Sequence, residues 1–129
     1  MTESIRTIIS TDKAPGAIGP YSQAVKTEAM VFVSGQLALD PASGNIVTGG
    51  IKAETRQAMQ NLKSILEAAG SSLENVVKTT LFIKDMNDFP MINEVYGEFF
   101  QNDPPARACV EVARLPKDAN VEIEAVGLL

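Results

Sequence analysis

The chain has 129 residues, a net charge of −5 and 45% hydrophobic residues, which is typical of one soluble globular domain. Nucleic acid and anionic membranes are poor partners for it, because phosphate neutralisation needs clustered Lys and Arg, and the 11 basic residues form no run. Histidine is absent and Cys109 is the single cysteine. This excludes an internal disulfide and a cysteine-rich zinc site, and we expect no metal site.

No secretion signal, membrane-spanning apolar run, internal repeat or linker is visible in the sequence. We therefore expect a single domain over residues 1–129 and a cytoplasmic location.

Alternation and turn residues predict three short strands in the first part of the chain, at residues 5–9, 24–26 and 30–36. The continuous apolar run that opens the third strand predicts burial on both of its faces. Ser34 and Gly35 then interrupt the strand, which indicates a bulge or a place where another group approaches the backbone.

Two amphipathic helices are predicted in the middle of the chain. The first covers residues 52–69, with Gly70 as a left-handed stop. The second begins near Asp88, a good capping residue, with Pro90 in its first turn. Residues 76–85 form a long strand between them. The predicted buried residues are, in the first helix, Ala58, Leu62, Ile65, Leu66 and Ala69, in the strand, Val77, Thr79, Leu81 and Ile83, and in the second helix, Phe89, Ile92, Val95, Tyr96 and Phe99.

The stretch PARACVEVARLPKD, residues 105–118, is the most informative part of the sequence. Residues 107–113 alternate as a strand does, and residues 121–126 alternate again after a turn. We expect these two strands to form a hairpin with Val112 opposite Val121. One face would then carry the core residues Val110, Val112, Val121, Ile123 and Ala125, and the other would carry Arg107, Cys109, Glu111, Glu122 and Glu124.

Two helices and about five or six strands, with helix and strand alternating in the middle of the chain, predict an α+β fold. Two helices can cover only one face of such a sheet. We expect the other face, which carries Arg107, Cys109 and Glu122, to meet a partner.

The residue types exclude most classes of enzyme. The sequence contains no Ser-His-Asp set, no phosphate-binding P-loop and no dinucleotide-binding fingerprint. A catalyst built from this chain must use Arg, Glu, Tyr, Ser, Cys and backbone groups, which restricts it to a reaction with a modest barrier. No His or Lys is placed in sequence to lower the pKa of Cys109, so we do not expect this thiol to act as a nucleophile.

Three further segments are distinctive, namely AIGPY at residues 17–21, VSGQ at 33–36 and VKTT at 77–80. Together with PARACVEVARLPKD, and in this order, they closely resemble the motifs of the Rid family of reactive intermediate deaminases, also called YjgF-like. The four motifs extend over nearly the whole chain. Arg107 is similar to the arginine that marks the RidA group.

The resemblance implies a fold, an assembly and a reaction. The subunit would be chorismate-mutase-like, a single-layer mixed sheet with two helices on one face. Three subunits would form a homotrimer with sites between neighbours. The reaction would convert 2-aminoacrylate, 2-iminopropanoate or 2-iminobutanoate, released by pyridoxal-phosphate enzymes, to 2-oxo acids and ammonia. The protein itself would carry no cofactor.

The resemblance also implies residue roles. Arg107 would bind the substrate carboxylate with help from the Cys109 backbone N–H, and Glu122 would handle the water. The cleft would be lined by Tyr21, Ser34, Gly35 and Asn93. Imine hydrolysis suits these residue types, because a protonated imine carbon is already electrophilic and a guanidinium grips a carboxylate with two parallel hydrogen bonds.

Each assignment has an ordinary alternative. Arg107 could be a surface ion-pair residue, and Glu122 could belong to a solvated edge with its neighbour Glu124. Cys109 could be a small buried hydrophobe. In the same way, Asn93 could be an exposed polar residue of a helix and Tyr21 an anchor of its loop.

Two other functions stay open. A non-catalytic trimer that binds 2-oxo acids as a metabolic sensor would use Arg107 in the same way but would gain nothing from Glu122. A ribonuclease would need a basic surface and an acid/base pair that the sequence lacks. Residues 102–105 are short and proline-rich where family members commonly have a slightly longer loop, so the preferred substrate size also stays open.

Overall fold

The computed structural model describes residues 5–129, which form six strands and two α-helices. The strands are β1 (Thr7–Ile9), β2 (Ala24–Lys26), β3 (Met30–Leu37), β4 (Val76–Ile83), β5 (Ala106–Glu111) and β6 (Val121–Leu128). The helices are α1 (Ile51–Ala68) and α2 (Phe89–Phe99).

The strands form one mixed sheet in the order β1-β2-β3-β6-β4-β5, in which only β4 and β5 run parallel. α1 packs against β3 and β6, and α2 packs against α1. We call the side of the sheet that packs against the helices the helix face and the opposite side the open face. The predicted α+β class, the mixed sheet and the two helices are therefore confirmed.

The core lies between the helices and the helix face. The whole predicted stripe of α1 is buried, and so are Ile92, Val95 and Tyr96 of α2. Gly70, with a φ of +86°, follows α1 in the left-handed conformation that the sequence predicts for its stop. No helix among residues 5–129 is long and apolar enough to cross a membrane.

The predicted hairpin of the two C-terminal strands is wrong. β5 pairs in parallel with β4 at the edge of the sheet, whereas β6 lies between β3 and β4. Alternation identifies a strand but not its neighbour. β6 buries Val121, Ile123 and Ala125, as suits a central strand, and five of the six residues of β5 are exposed, as suits an edge.

The predicted faces are correct for β6 but inverted for β5. Arg107 lies beside Thr79 and Cys109 beside Leu81, so both are on the helix face. Val110 is on the open face with 43% of its surface exposed, although the sequence predicts it in the core. A strand has no fixed face until its neighbour is known, because a shift of one residue in register exchanges its two faces.

Three local predictions also need correction. Phe32 is exposed, so β3 is buried on one face and not on both. Val77 is exposed because the register of β4 shifts between Val76 and Lys78. Asp88 precedes α2 but its side chain makes no capping hydrogen bond, because the chain is already in a 3-10 turn there.

Apolar side chains continue across the open face. Ile8, Phe32 and Val110 are exposed there, and neighbouring strands place half-buried apolar residues beside them. These half-buried residues are Val25, Phe82 and Val126. An exposed apolar surface of this kind is typical of a protein interface.

Asn61 connects α1 to the end of β3. Its side chain is 1% exposed, and its Nδ2 donates hydrogen bonds to the backbone oxygens of Leu37 (3.0 Å) and Leu39 (2.9 Å). Its Oδ1 accepts a hydrogen bond from Gln57 Nε2 at 2.9 Å. One buried amide therefore satisfies two carbonyl groups where β3 ends and has both of its own ends paired.

Asn61→Ala should lower the free energy of unfolding by about 2–4 kcal/mol, because it leaves buried carbonyls unpaired and creates a cavity. Urea-induced unfolding followed by circular dichroism measures this change. Gln60→Ala, on the exposed side of the same helix, is the matched control and should change stability by no more than about 0.5 kcal/mol. Equal stability of the two variants would contradict this role of Asn61.

Candidate functional site

A cleft of about 450 Å³ opens beside β3 and β6 on the open face of the sheet. It contains four residues that the sequence singles out, namely Tyr21, Ser34, Gly35 and Glu122. The remaining lining is mostly apolar and adds the carboxylate of Glu124, with Pro15, Ile18, Leu37, Leu39 and Pro116 among its members. We call this cleft half-site 1.

Gly35 lies against the side chain of Glu122. A Cβ atom built on Gly35 would be 2.7 Å from Glu122 Cδ, which is too close for any two such atoms. The register between β3 and β6 also shifts between Val33 and Gln36, as the break at residues 34 and 35 predicts. Glycine is therefore required here for the close approach of the carboxylate.

Glu122 carries a perturbed acid group. Partial burial raises the pKa of its carboxyl group, and the negative charge of nearby Glu124 raises this pKa further. A raised pKa makes the ionised carboxylate a stronger proton acceptor, which suits a group that must accept a proton and return it.

Ser34 and Tyr21 frame the same cleft. Ser34 Oγ donates a hydrogen bond to the backbone oxygen of Ser22 at 2.6 Å, and its backbone N–H donates to Gln23 O at 2.9 Å. The Tyr21 side chain is 51% exposed and lines the cleft, and its backbone N–H donates to Gly19 O at 2.8 Å. Both side chains keep polar atoms available to a ligand.

The other predicted residues lie on the helix face, between β5 and α2, in what we call half-site 2. Arg107 Nη1 donates a hydrogen bond to Asn93 Oδ1 at 2.7 Å. The guanidinium carbon is 5.2 Å from the ring centroid of Phe89 and 4.9 Å from that of Tyr96. Asn93 is half-buried and bound to Arg107, so its interpretation as an exposed helix residue is wrong.

Arg107 is held but remains exposed. Its three contacts come from one face of α2, because residues 89, 93 and 96 follow the helical repeat. Tyr96 is itself fixed by a 2.7 Å hydrogen bond between its hydroxyl and Thr79 Oγ1. Arg107 makes no carboxylate pair among residues 5–129, so its interpretation as a surface ion-pair residue is wrong.

Cys109 lies next to Arg107 on the edge strand, half-buried against the core. Burial raises the pKa of its thiol, although the positive charge of Arg107 acts in the opposite direction. The thiol is thus neutral at physiological pH and a poor nucleophile. The backbone N–H of Cys109 is better placed to bind a ligand. Val112 N–H donates to Ile83 O on β4. Because N–H directions alternate along a strand, the N–H of Cys109, three residues earlier, points away from β4 and towards the free edge.

Sequence reasoning missed the contacts of Phe89 and Tyr96 with Arg107, because it assigns both residues to the core alone. The available signal was their spacing from Asn93, since all three occupy one stripe of α2. It also missed that Arg107 and Glu122 lie on opposite faces of the sheet. Among residues 5–129, no group of three or more His, Cys, Asp or Glu side chains could hold a metal ion.

A family model described as Endoribonuclease L-PSP matches residues 11–128. A human protein named 2-iminobutanoate/2-iminopropanoate deaminase is 52% identical to this chain and covers 99% of it and 93% of its own length. The mouse protein of the same name is 53% identical and covers 99% of this chain and 95% of its own.

Solved structures agree with these matches. The E. coli TdcF structure with bound serine has a TM-score of 0.92 and 48% identity, and covers 95% of this chain and 98% of its own. RidA from an Antarctic Psychrobacter has a TM-score of 0.92 and 46% identity, and covers 95% of this chain and 99% of its own. Since the family model and these relatives all extend over nearly the whole chain, the protein belongs to the YjgF/Rid family.

Proposed function

We propose that this protein is a deaminase that hydrolyses reactive 2-imino and enamine acids, including 2-iminobutanoate and 2-iminopropanoate, to 2-oxo acids and ammonia. Mammalian relatives that are 52–53% identical over nearly the full chain are named for this activity. The structural observation that carries the proposal is the exposed guanidinium of Arg107, held in one orientation by Asn93 and two aromatic rings.

Arg107 binds the substrate carboxylate in this proposal. Asn93 takes up one Nη1 hydrogen, and the remaining N–H groups of the planar guanidinium stay available for a paired grip on two carboxylate oxygens. The Cys109 N–H at the same free edge adds a neutral donor. The bound serine in the TdcF structure is likewise a small molecule with an α-carboxylate.

Glu122 moves the protons of the reaction. Its carboxylate accepts a proton from a water molecule while the water oxygen forms a bond to the imine carbon. The C=N double bond becomes a single bond, and its electron pair goes to nitrogen. The carboxyl group then returns this proton to nitrogen and accepts the proton of the new hydroxyl group, so that the C=O bond forms as the C–N bond breaks. The 2-oxo acid leaves together with ammonia, which takes the proton from Glu122 as ammonium. No oxidant, reductant or cofactor enters this balance.

We propose that each complete site combines half-site 1 of one subunit with half-site 2 of another. Arg107 is on the helix face and Glu122 on the open face of one sheet, so one small substrate cannot touch both within a single chain. Arg107 is exposed on the edge strand, where the open face of a second copy can reach it. The apolar open face favours burial against such a copy. We propose the homotrimer of the family, with half-site 1 of one subunit facing half-site 2 of the next.

The alternatives are less well supported. A sensor of 2-oxo acids would use the same Arg107, but an anion-binding site is weakened by the adjacent carboxylates of Glu122 and Glu124. An RNA substrate, which the description of the family model suggests, would meet these same carboxylates and a net charge of −5. Of the three functions, imine hydrolysis is the one that needs a proton-transfer group at the position of Glu122.

A coupled assay tests the role of Arg107. A dehydratase generates the imine from serine or threonine, and semicarbazide traps what survives. Wild type should lower the trapped imine, whereas Arg107→Ala should lose at least about a hundredfold in kcat/KM because the carboxylate grip is gone. Arg114→Ala is the matched control, since Arg114 lies in the same segment but pairs with Asp118. Absence of any effect with wild type would refute the deaminase.

Mixing two inactive variants tests the shared site. Arg107→Ala and Glu122→Gln, unfolded and refolded together, should recover about a quarter of wild-type activity. About three quarters of randomly mixed trimers contain both variants, and each of these has one of its three sites intact. Refolding each variant alone is the control and should recover almost no activity. No recovery in mixed trimers of confirmed size would place both residues in one subunit.

The pH profile of kcat/KM tests the coupling between the two carboxylates. The reaction needs Glu122 ionised, so activity falls as the pH drops through its raised pKa. Glu124→Gln removes one cause of the elevation and should therefore move the acidic limb to lower pH. Glu67→Gln, on the exposed side of α1, is the control and should leave the limb in place. An unmoved limb in Glu124→Gln would contradict the coupling.

A further inference from the structure

One wall of half-site 1 is made by a segment without helix or strand. Residues 10–23 connect β1 to β2, and Pro15, Ile18 and Tyr21 of this segment line the cleft. Ile18 is 74% exposed and projects from the wall with little packing of its own. The position of this wall must therefore be set by contacts elsewhere in the segment.

The side chain of Gln23 makes those contacts. It is 4% exposed, and its Oε1 accepts a hydrogen bond from Thr11 N–H at 2.7 Å. Its Nε2 donates to Thr11 O at 3.0 Å and to Pro15 O at 2.8 Å, with Ala14 O further away at 3.4 Å. The amide thus pairs with both backbone polar groups of Thr11 and donates its remaining hydrogen to the wall itself.

No other side chain has this role in the described chain. Within residues 5–129, the hydrogen bonds that join residues 11–19 to later parts of the chain all go to the Gln23 side chain, apart from the local bond between Tyr21 N–H and Gly19 O. Residues 11–19 are also held by an apolar contact, because the methyl group of Ala14 is buried in the core.

Gln23 also belongs to the floor of the cleft. Its backbone oxygen accepts the hydrogen bond from Ser34 N–H at 2.9 Å, and Ser34 Oγ binds the preceding residue, Ser22. One residue therefore touches the wall through its side chain and the floor through its backbone.

We infer that Gln23 is a positioning residue of the site, which holds the wall of half-site 1 at a set distance from Ser34 and Gly35. This inference rests on the proposed deaminase function. Since the carboxylate grip and the proton-transfer group are on other elements, Gln23 acts on substrate binding and not on the chemical step. The apolar wall that it holds faces the space available to the hydrocarbon side chain of the imine.

The test is Gln23→Glu, which keeps the size of the side chain and an acceptor for Thr11 N–H but loses both N–H donors. Repulsion between the new carboxylate and the oxygens of Thr11 and Pro15 should release the wall. The KM for 2-iminobutanoate should rise about tenfold with kcat changed by less than about threefold. Gln60→Glu, on the exposed side of α1, is the control for the added charge and should change neither value.

Release of the wall has its own readout, because Lys13 lies in the segment that Gln23 holds. Trypsin should cut the folded Gln23→Glu protein after Lys13 faster than it cuts wild type. Faster cutting with an unchanged KM would overturn the inference, and so would unchanged cutting. A wild type without deaminase activity would instead refute the proposed function, and the cutting rates would still decide whether Gln23 holds the wall.

A second variant tests the contact between the wall and the substrate even if Gln23→Glu does not fold. Ile18→Ala removes the exposed tip of the wall without touching the core. It should also raise the KM for 2-iminobutanoate and leave kcat nearly unchanged. An unchanged KM would show that the wall does not meet the substrate and would overturn the inference.

Discussion

The central position of β6 determines where the candidate site residues lie. β6 pairs with β3 on one side and with β4 on the other, and it buries Val121, Ile123 and Ala125 under the helices. Glu122 and Glu124 are consequently turned to the open face. Because β4 lies between β6 and β5, β5 has a neighbour on one side only and forms the edge of the sheet.

The edge position of β5 explains how Arg107 can be both fixed and accessible. A hydrogen bond to a charged group contributes about 1.5–3 kcal/mol, whereas an exposed cation–π contact contributes about 0.5–1 kcal/mol. The bond to Asn93 therefore determines the direction of the guanidinium, and the rings of Phe89 and Tyr96 mainly limit its motion. Such pre-orientation reduces the entropy that carboxylate binding would otherwise cost.

Half-site 1 combines a charge with an apolar surrounding. Glu122 is brought against Gly35 in a cleft whose other members are largely apolar, and this raises the pKa of its carboxyl group. In the proposed assembly the Arg107 of the next subunit would stand opposite this carboxyl group. Partial burial disfavours the ionised form of Glu122 in one chain, whereas the positive charge of Arg107 from the next subunit would favour it. Assembly would in this way be linked to activity.

Composition and local pattern were enough to predict much of this protein. The apolar stripe of α1 with its Gly70 stop, the mixed α+β class and the break at Ser34 and Gly35 all follow from residues that are close together in the chain. Most of the candidate site residues could be named because they occur in recognisable motifs, namely Tyr21, Ser34, Gly35, Arg107 and Cys109. These features depend on local backbone preferences and side-chain size, which a sequence carries directly.

The pairing of the strands was decided only by the tertiary structure. Residues 107–113 and 121–126 alternate in the same way whether they pair with each other or with β4, so alternation could not place Arg107 on a face. The contact of Gln23 with Thr11 and the cradle of Arg107 on α2 likewise join residues that are distant in the chain. The sequence determined which elements form, because their energetics are local, and the packing of the sheet determined which of them meet, because that energy belongs to the whole core.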